Sequence, residues 1–453
     1  MKPPVTNTRS RAGFALAILF AINLLNFYDR FMFGALAEPI RKEWALSDAQ
    51  IGWLSTAFTL LYAAVGLPLG RLADRSKRPR MLGIGVALWS VLTAASGVAW
   101  SYGSLFAARL GVGIGEASCA PASSSLIGDL YPPRKRSWAV SIFMLGLPLG
   151  TFFGTLISGR LAADYGWRVA CYFACVPGLI LALMAARIYD PPRGSSEASP
   201  SAGREYEGSA FWSVLRIPTL WWIIVSGALF NFYMYAIGIF LPAFLSRYHG
   251  LDLKQSNAIA ALVFGGAGVP GLLIGGWIAD VASRRRPNGR MLLASLATLA
   301  ATPCAYFALG RPAGSVLSFS VLMGTSCLLS YLYYSGVYAA VQDVVPPVLR
   351  GTAMAIYFFA MYLLGGSFGP VATGWVSDHF ARAAMISAGA NSMTEAFRAA
   401  GLHSAMYLIP ACSLILFGVL AVAACTITGD LKNVQRWMAR EEMKADLAVP
   451  SRT

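Results

Sequence analysis

Charged side chains are scarce in this chain of 453 residues: they make up 13% of it, whereas hydrophobic residues make up 57%. An ordinary soluble domain carries about 25% charged residues. The mean hydropathy is correspondingly high, at +0.58. This composition excludes an ordinary soluble domain and predicts a polytopic membrane protein.

Residues that other functions require are also missing. The three histidines fall in predicted outer loops or their helix ends, so carboxylates must carry any proton transfer inside the membrane. No soluble domain and no nucleophile with its base is visible, which argues against an enzyme or a bound cofactor. No loop is long or basic enough to bind nucleic acid, despite the net charge of +15. The cysteines lack paired metal-ligand spacing, so we expect packing residues and no metal site: Cys119, Cys171, Cys175, Cys304, Cys327, Cys412 and Cys425.

Long apolar segments are abundant instead, and twelve of them could cross a bilayer, which takes about 20 mostly apolar residues. Lys and Arg concentrate in the N-terminus, in the loops after even-numbered segments and in the C-terminal tail. The positive-inside rule therefore predicts a multi-pass protein of the cell (inner) membrane with both termini in the cytoplasm. The first segment is too long and too polar for a cleaved signal peptide. The approximate segments are 13–36, 49–70, 80–100, 104–128, 137–161, 168–188, 218–245, 256–279, 290–309, 314–341, 351–377 and 403–427.

Three motifs occur twice in the same order, once in each half of the chain. Three such repeats at matching segments indicate a duplicated unit. We therefore predict an all-α membrane protein with twelve transmembrane helices in two pseudo-symmetric six-helix bundles. The pairs are Gly70-Arg-Leu-Ala-Asp74 with Gly276-Trp-Ile-Ala-Asp280, Asp129-Leu-Tyr-Pro-Pro with Asp343-Val-Val-Pro-Pro, and Asn26-Phe-Tyr with Asn231-Phe-Tyr.

The predicted domain boundaries follow from this repeat. The N-terminal bundle covers residues 1–188 and the C-terminal bundle residues 217–428. A polar stretch rich in Pro, Gly and Ser, residues 189–216, is predicted to be a cytoplasmic linker. Residues 429–453 alternate apolar and charged side chains at helical spacing, which predicts an amphipathic helix at the cytoplasmic membrane surface.

An acid and a base, Asp29 and Arg30, lie side by side inside the first apolar segment. A charge at the centre of a membrane helix costs roughly 2.5 to 3.5 kcal/mol, so the two need a partner, water or a function. In the fourth segment Arg109 and Glu116 are seven residues apart and share one helix face. Helix rise places Arg109 level with Asp29, and Glu116 near the bilayer midplane, where secondary transporters bind their substrates.

Two interpretations of these four charges remain open. The first is a structural ion pair that locks helices together. The second is a site in which Asp29 and Glu116 carry protons, while Arg30 and Arg109 bind an anionic head group and act as charge partners. Since they share a helix face, Arg109 is the expected switchable partner of Glu116.

The repeated glycine and aspartate motif predicts a cytoplasmic gate. An aspartate at a helix end can contact basic side chains and the exposed N–H groups of a neighbouring helix start. The alternative is ordinary positive charge in a cytoplasmic loop. The predicted gate residues are Gly70, Asp74, Arg75, Arg78, Asp280 and Arg284.

Tyrosines dominate the C-terminal half, and three of them recur on one face of the tenth segment. An aromatic stripe is often core, but a buried tyrosine hydroxyl needs a partner, so this concentration also suits a cavity with water or ligand. A charged N-terminal wall and an aromatic C-terminal wall would suit an amphiphile. The predicted lining residues are Asn26, Asn231, Tyr235, Tyr331, Tyr334, Tyr338 and Tyr357.

These motifs resemble those of a known family. The gate motif, its second copy and the twelve apolar segments resemble those of the major facilitator superfamily, in which the gate stabilises the outward-open state. Asn26-Phe-Tyr-Asp-Arg-Phe31, the Gly-rich run from Arg109 to Ala117, and Asp129-Leu-Tyr-Pro132 followed by Arg136-Ser137 look like its Spinster branch. Spinster-like proteins move sphingosine-1-phosphate or lysophospholipids in animals, so the resemblance implies a lysolipid or similar amphiphilic anion. The resemblance also implies that Asp29, Arg30, Arg109 and Glu116 have the proton-carrying and head-group-binding roles described above.

The sequence therefore predicts a secondary active transporter that works by alternating access. We expect a proton-coupled or proton-gated monomer that moves an amphiphilic anion or zwitterion and has membrane lipids as its other partners. A small organic-anion/proton symporter and a multidrug exporter are alternatives, since the same charges could bind either substrate class. A receptor would show ligand-dependent recruitment of a partner and no flux.

Overall fold

The computed structural model describes residues 5–193, 210–346 and 349–447, and these fold almost entirely into helices. In the N-terminal half, the fourth and fifth crossings are each built from two shorter helices. The helices are α1 (Val5–Glu43), α2 (Asp48–Arg75), α3 (Arg78–Gly97), α4 (Tyr102–Glu116), α5 (Cys119–Leu130), α6 (Pro133–Met144), α7 (Gly146–Tyr165) and α8 (Trp167–Ala185).

The C-terminal half contains two π-helical segments, Ala261–Gly266 between α11 and α12, and Met361–Gly366 between α15 and α16. Its last helix runs unbroken through the apolar segment into the predicted tail. The helices are α9 (Ala210–Leu215), α10 (Pro218–His249), α11 (Leu253–Ala260), α12 (Ala267–Arg285), α13 (Gly289–Leu309), α14 (Val316–Asp343), α15 (Arg350–Ala360), α16 (Phe368–Ser387), α17 (Glu395–Met406) and α18 (Leu408–Leu447).

Ten of the described helical stretches are long and apolar enough to span a membrane. The predicted second and fourth spans complete the twelve crossings. The fourth is divided between α4 and α5, with 15 and 12 residues, so neither piece spans alone. The predicted all-α fold is confirmed, whereas the domain boundaries at residues 188 and 217 remain predictions.

Side-chain caps fix several helix starts at one end of the bundle. Ser47 and Gln50 form a capping box at the start of α2, with hydrogen bonds of 3.2 and 2.9 Å. Asp252 caps α11 by accepting from the Gln255 N–H at 2.8 Å. Gly250, with φ of +73°, ends α10 in the left-handed conformation that favours glycine. These residues lie at the end where α1 finishes and α2 begins, which we call the far end.

The two halves pack against each other through glycines near the far end. A Cβ atom on Gly34 of α1 would lie 2.2 Å from the Gly238 carbonyl oxygen of α10. One on Gly52 of α2 would lie 2.5 Å from the Pro370 carbonyl oxygen of α16, and one on Gly159 of α7 would lie 2.3 Å from Asn257. Because only glycine allows neighbouring helices to approach so closely, the halves are in direct contact at this end.

Candidate functional site

Arg30 and Glu116 form a buried ion pair between α1 and α4. Arg30 Nε lies 3.0 Å from Glu116 Oε2, with side chains only 2% and 0% exposed. Asn26, one turn earlier on α1, donates from Nδ2 to the same oxygen at 2.8 Å. Taking two charges out of water costs several kcal/mol per ion, so the pair depends on this geometry and these hydrogen bonds. The structure therefore pairs Glu116 with Arg30, and not with Arg109 as the helix face suggested.

Aromatic rings from both halves surround the Arg30 guanidinium. Its Cζ lies 4.2 Å from the ring centroid of Tyr62 in α2 and 5.3 Å from that of Tyr362 in the second π-helical segment. Phe27 and Phe58 lie at 5.1 and 5.4 Å. Such cation–π contacts contribute roughly 0.5 to 2 kcal/mol, the larger value applying where water is excluded. They hold a charged group where the membrane would otherwise disfavour it.

Tyr235 connects this charge to the C-terminal half. Arg30 Nη1 donates to the Tyr235 hydroxyl at 3.2 Å, and Tyr235 belongs to α10. The guanidinium thus has a carboxylate partner in its own half and a hydroxyl partner in the other. A relative movement of the halves must change the second contact, which makes Arg30 sensitive to the conformation of the whole protein.

A break between α4 and α5 places Glu116 at the end of a helix. Ser118 Oγ donates back to the Gly115 carbonyl at 2.8 Å, and α5 begins at Cys119. The glycines before the break allow close approach: a Cβ on Gly113 would lie 2.6 Å from the Phe58 carbonyl oxygen of α2. Small residues thus bring α4 against its neighbours and fix the position of the Glu116 carboxylate.

Asp29 and Arg109 are also buried in the N-terminal half. The charges that act on Asp29 are those of Glu116 and Arg109, and its side chain is fully buried. The Arg109 guanidinium stacks on Phe33, with 3.9 Å from Cζ to the ring centroid. Among the described residues, neither oxygen of Asp29 and neither Nε nor Nη1 of Arg109 has a hydrogen-bond partner. The four predicted charges thus form one ion pair and one group of neighbours without hydrogen bonds.

A cavity between the halves adjoins the Arg30 site, since Phe27, Tyr235 and Tyr362 contact the guanidinium and also line the cavity. Of the predicted lining residues, Asn231, Tyr235, Tyr331 and Tyr334 are present. Asn26 contacts Glu116 instead. The full lining is Phe27, Phe31, Leu147, Asn231, Met234, Tyr235, Phe264, Tyr331, Tyr334 and Tyr362.

The other two predicted tyrosines, Tyr338 and Tyr357, are not among the lining residues. The Tyr357 hydroxyl lies 3.1 Å from that of Tyr333, which in turn lies 2.9 Å from Ser226 Oγ. Tyr338 packs edge-on against Tyr357 at 5.7 Å between ring centroids. Spacing on one helix face did not distinguish these tyrosines, whose rings pack on each other in the C-terminal half, from those that line the cavity.

The predicted gate residues Gly70, Asp74 and Arg75 are in the last turns of α2, and their side chains lie outside the described residues. Arg78 is buried and forms ion pairs with Asp129 and, at 2.7 Å, with Asp190.

The C-terminal half repeats this arrangement, because Arg290 forms ion pairs with Asp343 and, at 3.6 Å, with Asp280. Arg284 is exposed. Asp280 therefore pairs within its own half in this conformation, whereas Arg78 pairs both within its own half and with Asp190 at the start of the predicted linker, and a role in gating remains a prediction.

At the far end, ion pairs that sequence reasoning missed connect the two halves. Arg247 of α10 lies 2.7 Å from Glu38 of α1 and 2.9 Å from Asp48 of α2. Arg41 of α1 lies 2.7 Å from Glu38 and 2.7 Å from Glu395 of α17. All five residues look like ordinary charges at helix ends in the sequence, so no motif marks them.

The helix start of α2 also takes its partners from the other half. Asp378 of α16 accepts from the backbone N–H groups of Asp48 and Ala49, at 3.0 Å each. Ser377 donates to the Asp48 carboxylate at 2.6 Å. A carboxylate at a helix N-terminus satisfies unpaired N–H groups and complements the helix dipole. We call Glu38, Arg41, Asp48, Arg247, Ser377, Asp378 and Glu395 the far-end network.

Comparison with known proteins gives the family. A family model described as the Major Facilitator Superfamily matches residues 19–370. An "MFS-type efflux pump" of Mycolicibacterium smegmatis is 32% identical over 377 residues, which are 81% of this chain and 85% of the relative. "Protein spinster homolog 3" of Mus musculus is 30% identical over 394 residues, or 83% of this chain and 77% of the relative. The chain belongs to the Major Facilitator Superfamily, in its Spinster branch.

A solved structure supports the same assignment for this Spinster-like transporter. It is described as a bacterial homolog to the human lysosomal transporter Spinster, in an inward-facing and unoccupied conformation. The two chains superpose with a TM-score of 0.80 at 26% identity, covering 96% of this chain and 98% of the other. The major facilitator fold is thus confirmed along nearly the whole length, and the chain is a membrane transporter and not an enzyme.

Proposed function

We propose that this Spinster-like transporter moves an amphiphilic anion or zwitterion, such as a lysolipid or a sphingosine-1-phosphate-like molecule, in a proton-coupled or proton-gated cycle of alternating access. The observation that carries the proposal is the buried pair of Arg30 and Glu116 beside an aromatic cavity between the halves. One charged point next to an apolar wall matches the two ends of an amphiphile.

The head group would bind at Arg30. Its planar guanidinium presents several donors and can bind a phosphate or carboxylate through two parallel hydrogen bonds. The tail would lie towards Phe31, Phe264 and Tyr331, whose rings line the cavity. Arg109 would act as a charge partner within the N-terminal half, where its guanidinium stacks on Phe33.

Competition for Arg30 would couple substrate to protons. An anionic head group that binds Arg30 competes with the Glu116 carboxylate for the same donors. Once separated from Arg30, Glu116 keeps, among the described residues, only the hydrogen bond from Asn26 in a fully buried place, where a charged carboxylate is costly. Glu116 would then take up a proton, with Asp29 as the second carboxylate of the relay.

Closure at the far end supports a proposal for the step of the cycle. Because both halves are in contact there, we propose that a ligand enters the cavity from the opposite end. With both termini in the cytoplasm of a cell (inner) membrane, as the distribution of Lys and Arg predicts, this would be an inward-facing state of a monomer. Cysteine accessibility of residues engineered at each end, in intact cells, tests the orientation.

A multidrug exporter is the second candidate, favoured by the 32% identity to an efflux pump. In that case Asp29 and Glu116 would bind a cationic drug. A small organic-anion/proton symporter would use Arg30 in the same way but would not need an aromatic wall for a long tail. The three candidates therefore differ in the charge and the chain length of the ligand.

Ligand screening separates the candidates. The purified protein is tested for a change in melting temperature with lysophospholipids and sphingosine-1-phosphate of several chain lengths, with short organic anions and with cationic drugs. We expect stabilisation by long-chain anions, followed in proteoliposomes by flux that depends on the pH gradient. The double variant Arg30→Gln/Glu116→Gln, in which amides can replace the pair, should lose this stabilisation.

The matched control is Tyr357→Phe, which removes a hydroxyl from the tyrosine core without touching the cavity lining. It should keep the ligand response. Stabilisation by cationic drugs alone would establish the exporter, and binding of anions without any dependence on chain length would establish the organic-anion symporter. Either result would end the amphiphile proposal.

A further inference from the structure

Polar atoms without partners surround Asp29 inside the N-terminal half. Both oxygens of Asp29, the indole N–H of Trp89, the hydroxyl of Thr93 and two guanidinium nitrogens of Arg109 have no hydrogen-bond partner among the described residues. These four side chains are at most 1% exposed. Buried polar groups in native proteins are nearly always paired, so unpaired donors gathered around an unpaired acceptor require an explanation.

Trp89 and Thr93 present their donors from α3. They are four residues apart, so they lie on one helix face one turn from each other, and both unpaired donors lie beside Asp29. Close packing fixes that face, because a Cβ on Gly115 of α4 would lie 2.8 Å from the Trp89 backbone N–H nitrogen. The helix that carries Glu116 therefore also sets the position of the indole beside Asp29.

We propose that Trp89 and Thr93 are positioning residues that donate hydrogen bonds to the Asp29 carboxylate and so determine the pH at which Asp29 takes up a proton. The inference rests on the proposed proton coupling and extends it to α3. The two donors differ in chemistry, because an indole N–H can only donate, whereas a hydroxyl can donate or accept. Trp89 thus favours the charged form of Asp29 alone, while Thr93 can also accept from the protonated acid.

Other titratable groups also face Asp29. They are Arg109 and Glu116 of α4, Cys171 and Cys175 of α8, and Tyr28 on its own helix. Replacing Trp89 or Thr93 changes none of these charges. Any change in the protonation of Asp29 can then be assigned to the lost donor and not to a lost charge.

Infrared difference spectroscopy tests the inference on the full-length protein in lipid nanodiscs. The carbonyl stretch of a protonated carboxylic acid is followed against pH, and Asp29→Asn identifies the band that belongs to Asp29. Trp89→Phe should raise the pH at which Asp29 is half-protonated, because the charged form loses a donor. The expected change is about tenfold or more in proton concentration. Thr93→Val should give a smaller change in the same direction, and Thr93→Ser should restore the wild-type value.

Ser90→Ala is the matched control. Ser90 is the neighbour of Trp89 on α3, but its hydroxyl donates to the Val86 carbonyl at 2.7 Å and packs against Gly178 of α8. Ser90→Ala should therefore leave the pH at which Asp29 is half-protonated unchanged. Melting temperatures show which variants are folded, and Thr93→Val, nearly isosteric with the wild type, keeps the test valid if Trp89→Phe unfolds.

Three results would overturn the inference: an unchanged half-protonation point in both Trp89→Phe and Thr93→Val, an equal change in Ser90→Ala, or an Asp29 band that does not respond to pH. None of these readouts needs transport. If flux proves independent of the pH gradient, the proposed coupling fails, while the band still decides whether Trp89 and Thr93 act on Asp29.

Discussion

One guanidinium, that of Arg30, has partners that it could not all keep in the proposed transport cycle. In the structure it holds Glu116 at 3.0 Å and the hydroxyl of Tyr235 at 3.2 Å. A substrate anion would replace the first contact, and a movement of the halves would change the second. The role of Glu116 is therefore best tested by replacements that either keep or remove its hydrogen-bond acceptor.

Glu116→Gln should fold and bind ligand, because the amide oxygen can still accept from Arg30 and Asn26. It should lose the dependence of flux on the pH gradient, since the amide cannot take up a proton. Glu116→Ala leaves the Arg30 charge buried without its partner and should cost about 3 to 5 kcal/mol of stability. Proteoliposome flux and unfolding of both variants are the measurements, and pH-dependent flux in a stable Glu116→Gln protein would remove Glu116 from the coupling mechanism.

Which charges are important could be inferred from the sequence, but not how they pair. Asp29, Arg30, Arg109 and Glu116 stand out because charges inside apolar segments are costly. Spacing relates positions within one helix and says nothing about the rotation of α1 relative to α4. The preference of Glu116 for Arg30 depends on that rotation, so it could only be seen in the structure.

At the scale of elements, glycines determine how α7 packs on α1. A Cβ on Gly150 would lie 2.2 Å from the Leu24 carbonyl oxygen, and one on Gly154 would lie 2.6 Å from that of Tyr28. The adjoining residues on α1 are Asp29 and Arg30. The glycine face of α7 therefore supports the part of α1 that carries the charges.

The C-terminal half repeats this packing. A Cβ on Gly365 would lie 2.2 Å from the Ala228 carbonyl oxygen of α10, and one on Gly369 would lie 2.1 Å from that of Phe232. Each pair of glycines is four residues apart, as are the carbonyls that they approach. The duplicated sequence thus produces a duplicated helix contact.

Gly154→Ala should destabilise the protein by about 1 to 3 kcal/mol, because backbone atoms of α1 cannot move away from the new methyl group as a side chain could. The control is Gly324→Ala on α14, where nothing lies within 4 Å of the added Cβ. There, alanine should be neutral or stabilising by up to about 1 kcal/mol, through lower entropy of the unfolded chain. Equal melting temperatures for the two variants would show that the glycine face is not a close contact.

Element boundaries were less predictable than element existence. All twelve apolar segments correspond to helical crossings, because composition and length determine them. The break after Glu116 and the π-helical segments Ala261–Gly266 and Met361–Gly366 had no distinct signal, since Gly and Ala also occur in regular membrane helices. These irregularities arise from packing against other helices, which a linear pattern does not contain.

On the scale of the whole molecule, the far-end network closes one side of the protein. Among the described residues, only Arg247 pairs with both Glu38 of α1 and Asp48 of α2 from the opposite half, so we expect the closure to depend most on this residue. Sequence patterns specify helices and a repeat, but the conformational state depends on small free-energy differences between alternative contacts. The closed far end was for this reason not predictable from the sequence.

Arg247→Ala should shift the population towards a far-end-open state. It removes two ion pairs between the halves and leaves Glu38 with Arg41, and Asp48 with Ser377. The free-energy difference between the closed and open states should change by the interaction energy that Arg247 contributes in the closed state alone. We expect this to be about 1 to 3 kcal/mol, or roughly five- to 150-fold in the ratio of the two populations. Spin labels at Trp100 and Ser387, exposed far-end positions in different halves, should then report a longer distance population.

Arg168→Ala provides the control for this experiment. Arg168 forms a far-end ion pair of 2.7 Å with Glu43, but both residues belong to the N-terminal half and are more than a third exposed. An exposed pair within one half contributes only about 0 to 1 kcal/mol and does not differ between the states. The label distances of Arg168→Ala should match the wild type. If Arg247→Ala also matches it, the closure depends on the glycine contacts of Gly34 and Gly52 and not on the charges of the network.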